Sequence, residues 1–444
     1  MKRFEGIHFY VNVANFNEVV MDEEAKQGKV NHAIHALDTY FSSIENFGKQ
    51  NFPDAFAVEK ITGARLHMYV VADIERAYNI TEEVVKFAGE LSEYLNNHIA
   101  KYKTLLAFKI QAGACFGNFY KFEFKRDTAG EETTIGYAAN YAAKLQALCA
   151  AGDIAVSTNI FDMLPSEKKG MYVQYRSSKI LKYEEECYYE SDIMKLSAKL
   201  DHTKSLQESR EYANKINLTE MVFRKAVKPV TFDDLSKKEC KEVIGIPLFA
   251  DVRGFTSQFK NDDSNLDEMA EKTQNILTAM YNQVIKNKGI HVQFQGDREF
   301  ALFHNYPGHE CFVDAVQAGL KMIDAVKANK VSIGVGQAFG KMFAAKIGAR
   351  NEKDYILIGT TVIEADKNED DNAEANQLVI SKDIYKGLER VRPKWTRIFI
   401  KKGDYYYTTA GYDELITAIS REQLKYNNEK ANYNGAWSEE NVPI

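Results

Sequence analysis

One pattern narrows the fold before composition does: the chain contains itself twice. The stretches "IQAGACFGNFY" from Ile110 and "IGVGQAFGKMF" from Ile333 set Gly113 against Gly336, Phe116 against Phe339 and Gly117 against Gly340, all 223 residues apart. "TTIGYAANYAAKLQ" and "ILIGTTVIEADKNE" set Gly136 against Gly359 at the same separation. Earlier in each copy the separation widens to 233, between "EKITGARLHMYV" and "VQFQGDREFALF", and to 239, between "IHFYVNVANF" and "IPLFADVRGF". Differences in loop length produce this drift, because surface connections absorb insertions and core elements do not. The repeat predicts one unit at residues 1–190 and another at 241–415, with a polar, helix-prone connector over 191–240 and a tail over 416–444.

Periodicity within each copy predicts strand, helix, two strands about a tight turn, helix, a glycine-punctuated strand pair and a further helix. "IGIPLFADV" is a continuous apolar run, typical of a strand covered on both faces. "NLDEMAEKTQNILTAMYNQVIKNKG" has helical spacing up to Gly289, and "IHVQFQGDREFALFHN" reads as a hairpin turning at Gly296 and Asp297. The expected fold class is α+β, with helices on mainly antiparallel sheets. The connector "KLSAKLDHTKSLQESREYANKINLTEM" is expected to be ordered, and "NNEKANYNGAWSEENVPI" to be a frayed end.

The 444 residues suffice for two domains. With 57 basic and 63 acidic side chains and no long basic block, no nucleic-acid partner is expected. Five scattered cysteines suit a reducing compartment. Neither a signal-peptide core nor an apolar run of roughly 18 residues stands out, so the expectation is a cytoplasmic protein with no membrane partner.

Asp251 ends the apolar strand, and Asp297 sits in the turn of the hairpin expected beside it. Two carboxylates plus a main-chain carbonyl, that of Val252, suit hard divalent cations that share phosphate oxygens. One ion would activate an attacking hydroxyl and the other neutralise a triphosphate. The plainer alternative makes Asp251 a helix cap and Asp297 a turn residue. The first copy has Asn12 and Ala64 in those places. "GQAFGKM" is too short for a phosphate loop, with Met342 where a metal-binding hydroxyl is needed. His304, His309 and Cys311 read as loop residues rather than zinc ligands.

In their order and spacing, "FADVRGFT", "FQGDREFALF" and "DYILIGTTVIEADK" resemble the first metal strand, second metal turn and dimer-face helix of the class III nucleotidyl cyclases. The resemblance implies two ferredoxin-like cyclase domains packed head-to-tail as an intramolecular pseudo-heterodimer, using two manganese or magnesium ions. By position it assigns Asn140 to the ribose and Lys144, where the family has arginine, to the reacting phosphate. Being four apart on a helix, these two share a face. Lysine keeps the charge of arginine and loses its planar fork. The second copy has Ile363 and Lys367 there, so each copy lacks what the other supplies. The resemblance also assigns Lys341 to phosphate binding, and Lys179 and Lys182 are further candidates for the terminal phosphate.

Lys60 and Thr133 correspond to the family's base-reading pair. Lysine donates and threonine donates or accepts, which leaves adenine, uracil and cytosine open; guanine, wanting a carboxylate, is disfavoured. Glu59 is expected to point to the opposite side of its strand from Lys60. "VRGFTSQF" and "HVQFQGDREFALFHN", with Arg298 and Glu299, resemble the pyrimidine cyclases of bacterial Pycsar anti-phage systems. That resemblance implies conversion of UTP to cyclic UMP, a second messenger for a cyclic-nucleotide-sensing effector. The alternatives are an adenylate cyclase and a catalytically silent nucleotide sensor.

Overall fold

The computed structural model describes residues 2–124, 131–183, 185–215, 222–232, 235, 239–255, 258, 265–349 and 355–421. In the first half, β1 (Lys2–Val13), β2 (Phe56–Thr62), β3 (Arg65–Val71), β4 (Ile110–Phe124), β5 (Glu131–Ile135), β6 (Asp153–Val156), β7 (Val173–Tyr175) and β8 (Tyr188–Asp192) form one sheet. Its order is β2-β3-β1-β4-β6-β8-β7, with β5 paired to β4. The second half contains β9 (Val222–Lys225), β10 (Glu239–Val252), β11 (Ile290–Gln295), β12 (Arg298–His304), β13 (Ile333–Gln337), β14 (Gly340–Lys346), β15 (Tyr355–Ile358), β16 (Gln377–Ser381), β17 (Ile400–Lys402) and β18 (Tyr405–Thr408). Their sheet runs β11-β12-β10-β13-β16-β18-β17, with β14 bridging β10 and β15, and β9 on β10. The two orders correspond strand for strand, down to the parallel pairs β4–β6 and β13–β16 in otherwise mostly antiparallel sheets.

Side-chain alternation explains why β10 sits centrally. Ile246, Leu248, Ala250 and Val252 point into one core, while Val243 and Phe249 point into another on the opposite face. The helix Leu266–Lys286 buries Met269, Ala270, Thr273, Ile276, Leu277, Met280 and Val284, a stripe at three- and four-residue spacing. Gly113 and Gly336 let a backbone approach each sheet closely. A Cβ at Gly113 would lie 2.2 Å from the Gln146 amide nitrogen, and one at Gly336 would lie 2.2 Å from that of Glu369, the repeat-related residue.

The halves exchange apolar groups. Phe343, Ala345, Ile356, Ile358 and Ile363 join the core of the first half, and Ile135 joins that of the second with Tyr120 packed against it. Each buried isoleucine is worth roughly 1.5–3 kcal/mol, so separating the halves would cost several such terms. Charged groups seal the contact: Asp38 Oδ1 accepts from the Gly348 amide (2.8 Å) and Glu45 Oε2 from that of Ala349 (3.0 Å). The result is an α+β fold of two cyclase-like units packed head-to-tail within one chain. In the connector, Thr203–Lys215 is helical and packs on the first half, with His202 held between Glu83 and Glu90 at 2.9 Å from each. Residues 216–221 and the expected frayed end, 427–444, lie outside the described residues. Among the described residues no helix is long and apolar enough to cross a membrane.

Candidate active site

Two left-handed glycines shape the end of the second sheet. Gly254 (φ 67°) turns the chain just past Asp251 and Val252, and Gly296 (φ 71°) makes the β11–β12 turn that carries Asp297. Asp251 pairs with Arg298 across the β10–β12 ladder, so Asp297 stands one residue beyond that pair. The Asp251 side chain is 31% exposed, yet protein atoms crowd around it. Burial, and then the charge of Asp297, push its carboxyl up to about 7; burial likewise pushes Asp297 up to about 7. Asp297 Oδ2 is buried with no hydrogen-bond partner. An all-oxygen donor set, an orphaned buried oxygen and two neighbouring carboxyls that burial pushes up together fit a hard divalent cation.

Behind this pair lies an ionic network that sequence reasoning missed. Arg253 reaches Glu369 Oε1 at 2.7 Å and Asp251 Oδ2 at 3.7 Å, while Arg298 reaches Glu369 Oε2 and Asp366 Oδ1 at 2.6 Å each. Arg298 also lies 4.1 Å over the Phe249 ring. Glu369 belongs to the wide helical turn Asn368–Asn372, and burial raises its carboxyl to about 7 despite both guanidiniums. Glu299 is fully buried against His291, 2.7 Å away. Within the stretch that carries the pyrimidine-cyclase resemblance, Arg298 contacts Asp366 and Glu369, Glu299 contacts His291, and the Phe294 carbonyl reaches the pair expected to read the base, Lys60 and Thr133.

That pair comes together at the contact between the halves. Lys60 Nζ donates to Thr133 Oγ1 (3.2 Å) and, across the contact, to the carbonyl of Phe294 (3.2 Å), three residues before Asp297. Glu59 corrects an expectation. It does not point away from Lys60: its Oε1 accepts from Thr133 Oγ1 at 3.2 Å and lies 3.6 Å from Lys60 Nζ. The cause is a β-bulge between Val58 and Lys60, which breaks strict alternation. The second half carries the same bulge between His291 and Gln293, at the repeat-related position.

Asn140 and Lys144 lie one turn apart on the helix Tyr137–Leu148, which starts directly after the strand bearing Thr133. Tyr137, Ala138, Tyr141, Ala142 and Leu145 are buried, while Asn140 and Lys144 are half-buried. Ile363, the repeat-related partner of Asn140, faces Asn12, Gly63 and Ala64 across a cavity of about 190 Å³ between the halves. This is the repeat-related counterpart of the acidic site, and Arg65, Arg298 and Asp366 also line it. Lys341 is not brought to Asp251. It pairs with Ile244, whereas Asp251 pairs with Gly334, seven residues further along β10, or about 23 Å of strand. Its Nζ donates instead to the Gly28 carbonyl at 2.9 Å. Offset from a glycine had fixed its place in a motif without fixing the register of β14 on β10. Lys179 is exposed.

Two like α+β units meet beside this acidic pair, Lys60 of one reaching the Phe294 carbonyl on the Asp297 hairpin of the other. Residues 236–415 match the family model of the adenylate and guanylate cyclase catalytic domain. Among solved structures, a class III adenylyl cyclase-like ATP-binding protein from Pseudomonas aeruginosa is 17% identical. The alignment covers 94% of this chain and 90% of that one, with a TM-score of 0.70. The adenylyl cyclase CyaB from P. aeruginosa is 22% identical over 40% of this chain and 98% of its own (TM-score 0.34). The guanylyl cyclase Cya2 is 20% identical over 38% and 93% (TM-score 0.32). A comparison with curated proteins gives no match.

Proposed function

We propose that the chain cyclises a nucleoside triphosphate to its 3′,5′-cyclic monophosphate and pyrophosphate. In this reading residues 241–415 supply the acidic groups and residues 1–190 the groups that hold base and ribose. The observation that carries it is the bond from Lys60 to the Phe294 carbonyl, which ties the base-reading pair of one half to the hairpin bearing Asp297 in the other. Asp251, Asp297 and the Val252 carbonyl would hold two divalent ions, manganese or magnesium. When bound, such ions acidify a hydroxyl and neutralise a triphosphate.

The chain's own residues do the positioning. Asn140 orients the ribose so that its 3′-oxygen lies in line with the α-phosphate, and Lys144, one turn on, meets the charge that builds on the phosphate. Such transfers gain most of their acceleration from positioning and charge stabilisation.

The preferred substrate is UTP and the product cyclic UMP, released in the cytoplasm to an effector that senses it in antiviral defence. The Pycsar resemblance supports this choice, and the Lys60–Thr133 pair is compatible with it: Lys60 donates to O4 while Thr133 accepts from N3–H. Incubating the purified chain with each of the four ribonucleoside triphosphates and manganese, and identifying products by mass spectrometry, tests the proposal. Cyclic UMP is expected. A different cyclic product overturns the base assignment, and none from any substrate overturns the cyclase reading.

A further inference from the structure

We infer that Glu59 is a specificity-determining positioning residue. Held by a buried histidine relay, it fixes the Thr133 hydroxyl as a hydrogen-bond acceptor toward the base. The inference rests on the proposed use of Lys60 and Thr133 to read the base.

The chain of contacts runs inward from the pocket. Glu59 Oε1 accepts from Thr133 Oγ1 at 3.2 Å and from the Thr134 amide at 3.1 Å, and its Oε2 accepts from the Thr134 hydroxyl. His67 Nδ1 lies 3.2 Å from Glu59 Oε2, and His67 Nε2 lies 2.9 Å from His8 Nδ1. Both rings are buried, and burial lowers His8 to about 3 and His67 well below the ordinary histidine range, so both are neutral. Only one arrangement of protons then satisfies the relay: His8 Nδ1–H donates to His67 Nε2, and His67 Nδ1–H donates to Glu59. Tyr10 stacks on His67 with centroids 4.1 Å apart and holds the ring in that plane.

The ligating atoms of His8, Glu59 and His67 also fall within 4.8 Å of one another. A single ion would take one nitrogen of His67, however, and its two nitrogens are engaged in opposite directions. The cluster is a hydrogen-bond relay.

Its consequence is chemical. A carboxylate accepts only, so the Thr133 proton is committed to Glu59 and Thr133 Oγ1 can offer the base only a lone pair. Lys60 offers only donors. A fixed donor beside a fixed acceptor sorts bases by order. With Thr133 opposite the ring nitrogen, uracil and guanine match; with Thr133 opposite the exocyclic group, adenine and cytosine match. The bulge that brings Glu59 round to Thr133 is thus what turns a permissive threonine into a selective one.

Glu59→Gln keeps the shape and lets the amide donate, freeing the Thr133 hydroxyl to turn. Relative affinities for the four ribonucleoside triphosphates are measured by calorimetry with calcium, beside manganese-supported turnover. We expect the ratio of best to next-best nucleotide to fall about 10-fold or more in Glu59→Gln, since a misdirected buried hydroxyl leaves a base group unpaired. Affinity for the triphosphate portion, read with inorganic tripolyphosphate, stays unchanged. General damage would lower all affinities together and leave the ratio intact. An unchanged ratio in Glu59→Gln, or a parent protein that binds all four alike, overturns the inference. Should Glu59→Gln fail to fold, Thr133→Val tests the same bond from its other end: lost selectivity supports the inference and retained selectivity overturns it. Because binding is read separately from turnover, a parent that discriminates among nucleotides but makes no cyclic product would defeat the cyclase reading alone.

Discussion

Asp297→Asn should stabilise the protein while removing its activity, and the gain should depend on pH. In the metal-free protein Asp297 and Asp251 are both raised from 3.8 to about 7. A carboxyl whose folded value lies above its unfolded value holds its proton more tightly when folded. Its contribution is therefore most favourable below pH 4, is lost as pH rises from about 4 to about 7, and stays lost above that. A shift of roughly 3 units corresponds to roughly 4 kcal/mol for an isolated group. The penalty here is shared between interacting carboxylates and eased by the partial exposure of Asp251, so neutralising one should return on the order of 2 kcal/mol at pH 8. At about 2 °C per kcal/mol, Asp297→Asn should melt about 4 °C above the parent in EDTA at pH 8, and level with it near pH 4. Manganese should narrow the gap by stabilising the parent preferentially. A variant that melts at or below the parent at pH 8, or gains equally at both pH values, would refute this electrostatic account.

Asn140→Ala should lower kcat about 100-fold, as loss of one positioning donor does, with circular dichroism unchanged. Lys341→Ala should leave kcat/KM within about threefold, since its amine bonds to Gly28 rather than to the acidic site; a large loss would place it in catalysis. Gly336→Ala would bring a Cβ to 2.2 Å from the Glu369 nitrogen and should cost about 1–3 kcal/mol, read as a lower urea midpoint.

What the sequence revealed and what it hid follow from the range of the forces involved. Asp251 and Asp297 were legible because one closes a strand pattern three residues before Gly254 and the other directly follows Gly296, both glycines with a left-handed φ and both local signals. The repeat was legible because Gly113 and Gly336 answer the same close approach. Glu59 was hidden because one extra residue in β2 reverses the side-chain alternation beyond it. The Arg253–Glu369 contact spans 116 residues, and neither side chain carries a local mark of its partner. For Lys341, spacing from Gly340 gave a place in a motif and no information on which part of β10 the strand meets.

The central claim is that one composite site forms within a single chain, acidic groups from one half facing ribose-binding groups from the other. Pyrophosphate release by Asp297→Ala, by Asn140→Ala and by their equimolar mixture tests it most directly. Asp297→Ala should show no turnover, Asn140→Ala should keep only its small residue, and the mixture should do no better than the average of the two. Recovery of a substantial part of the parent rate on mixing would put the site between chains, and parental turnover by Asp297→Ala alone would remove the site altogether.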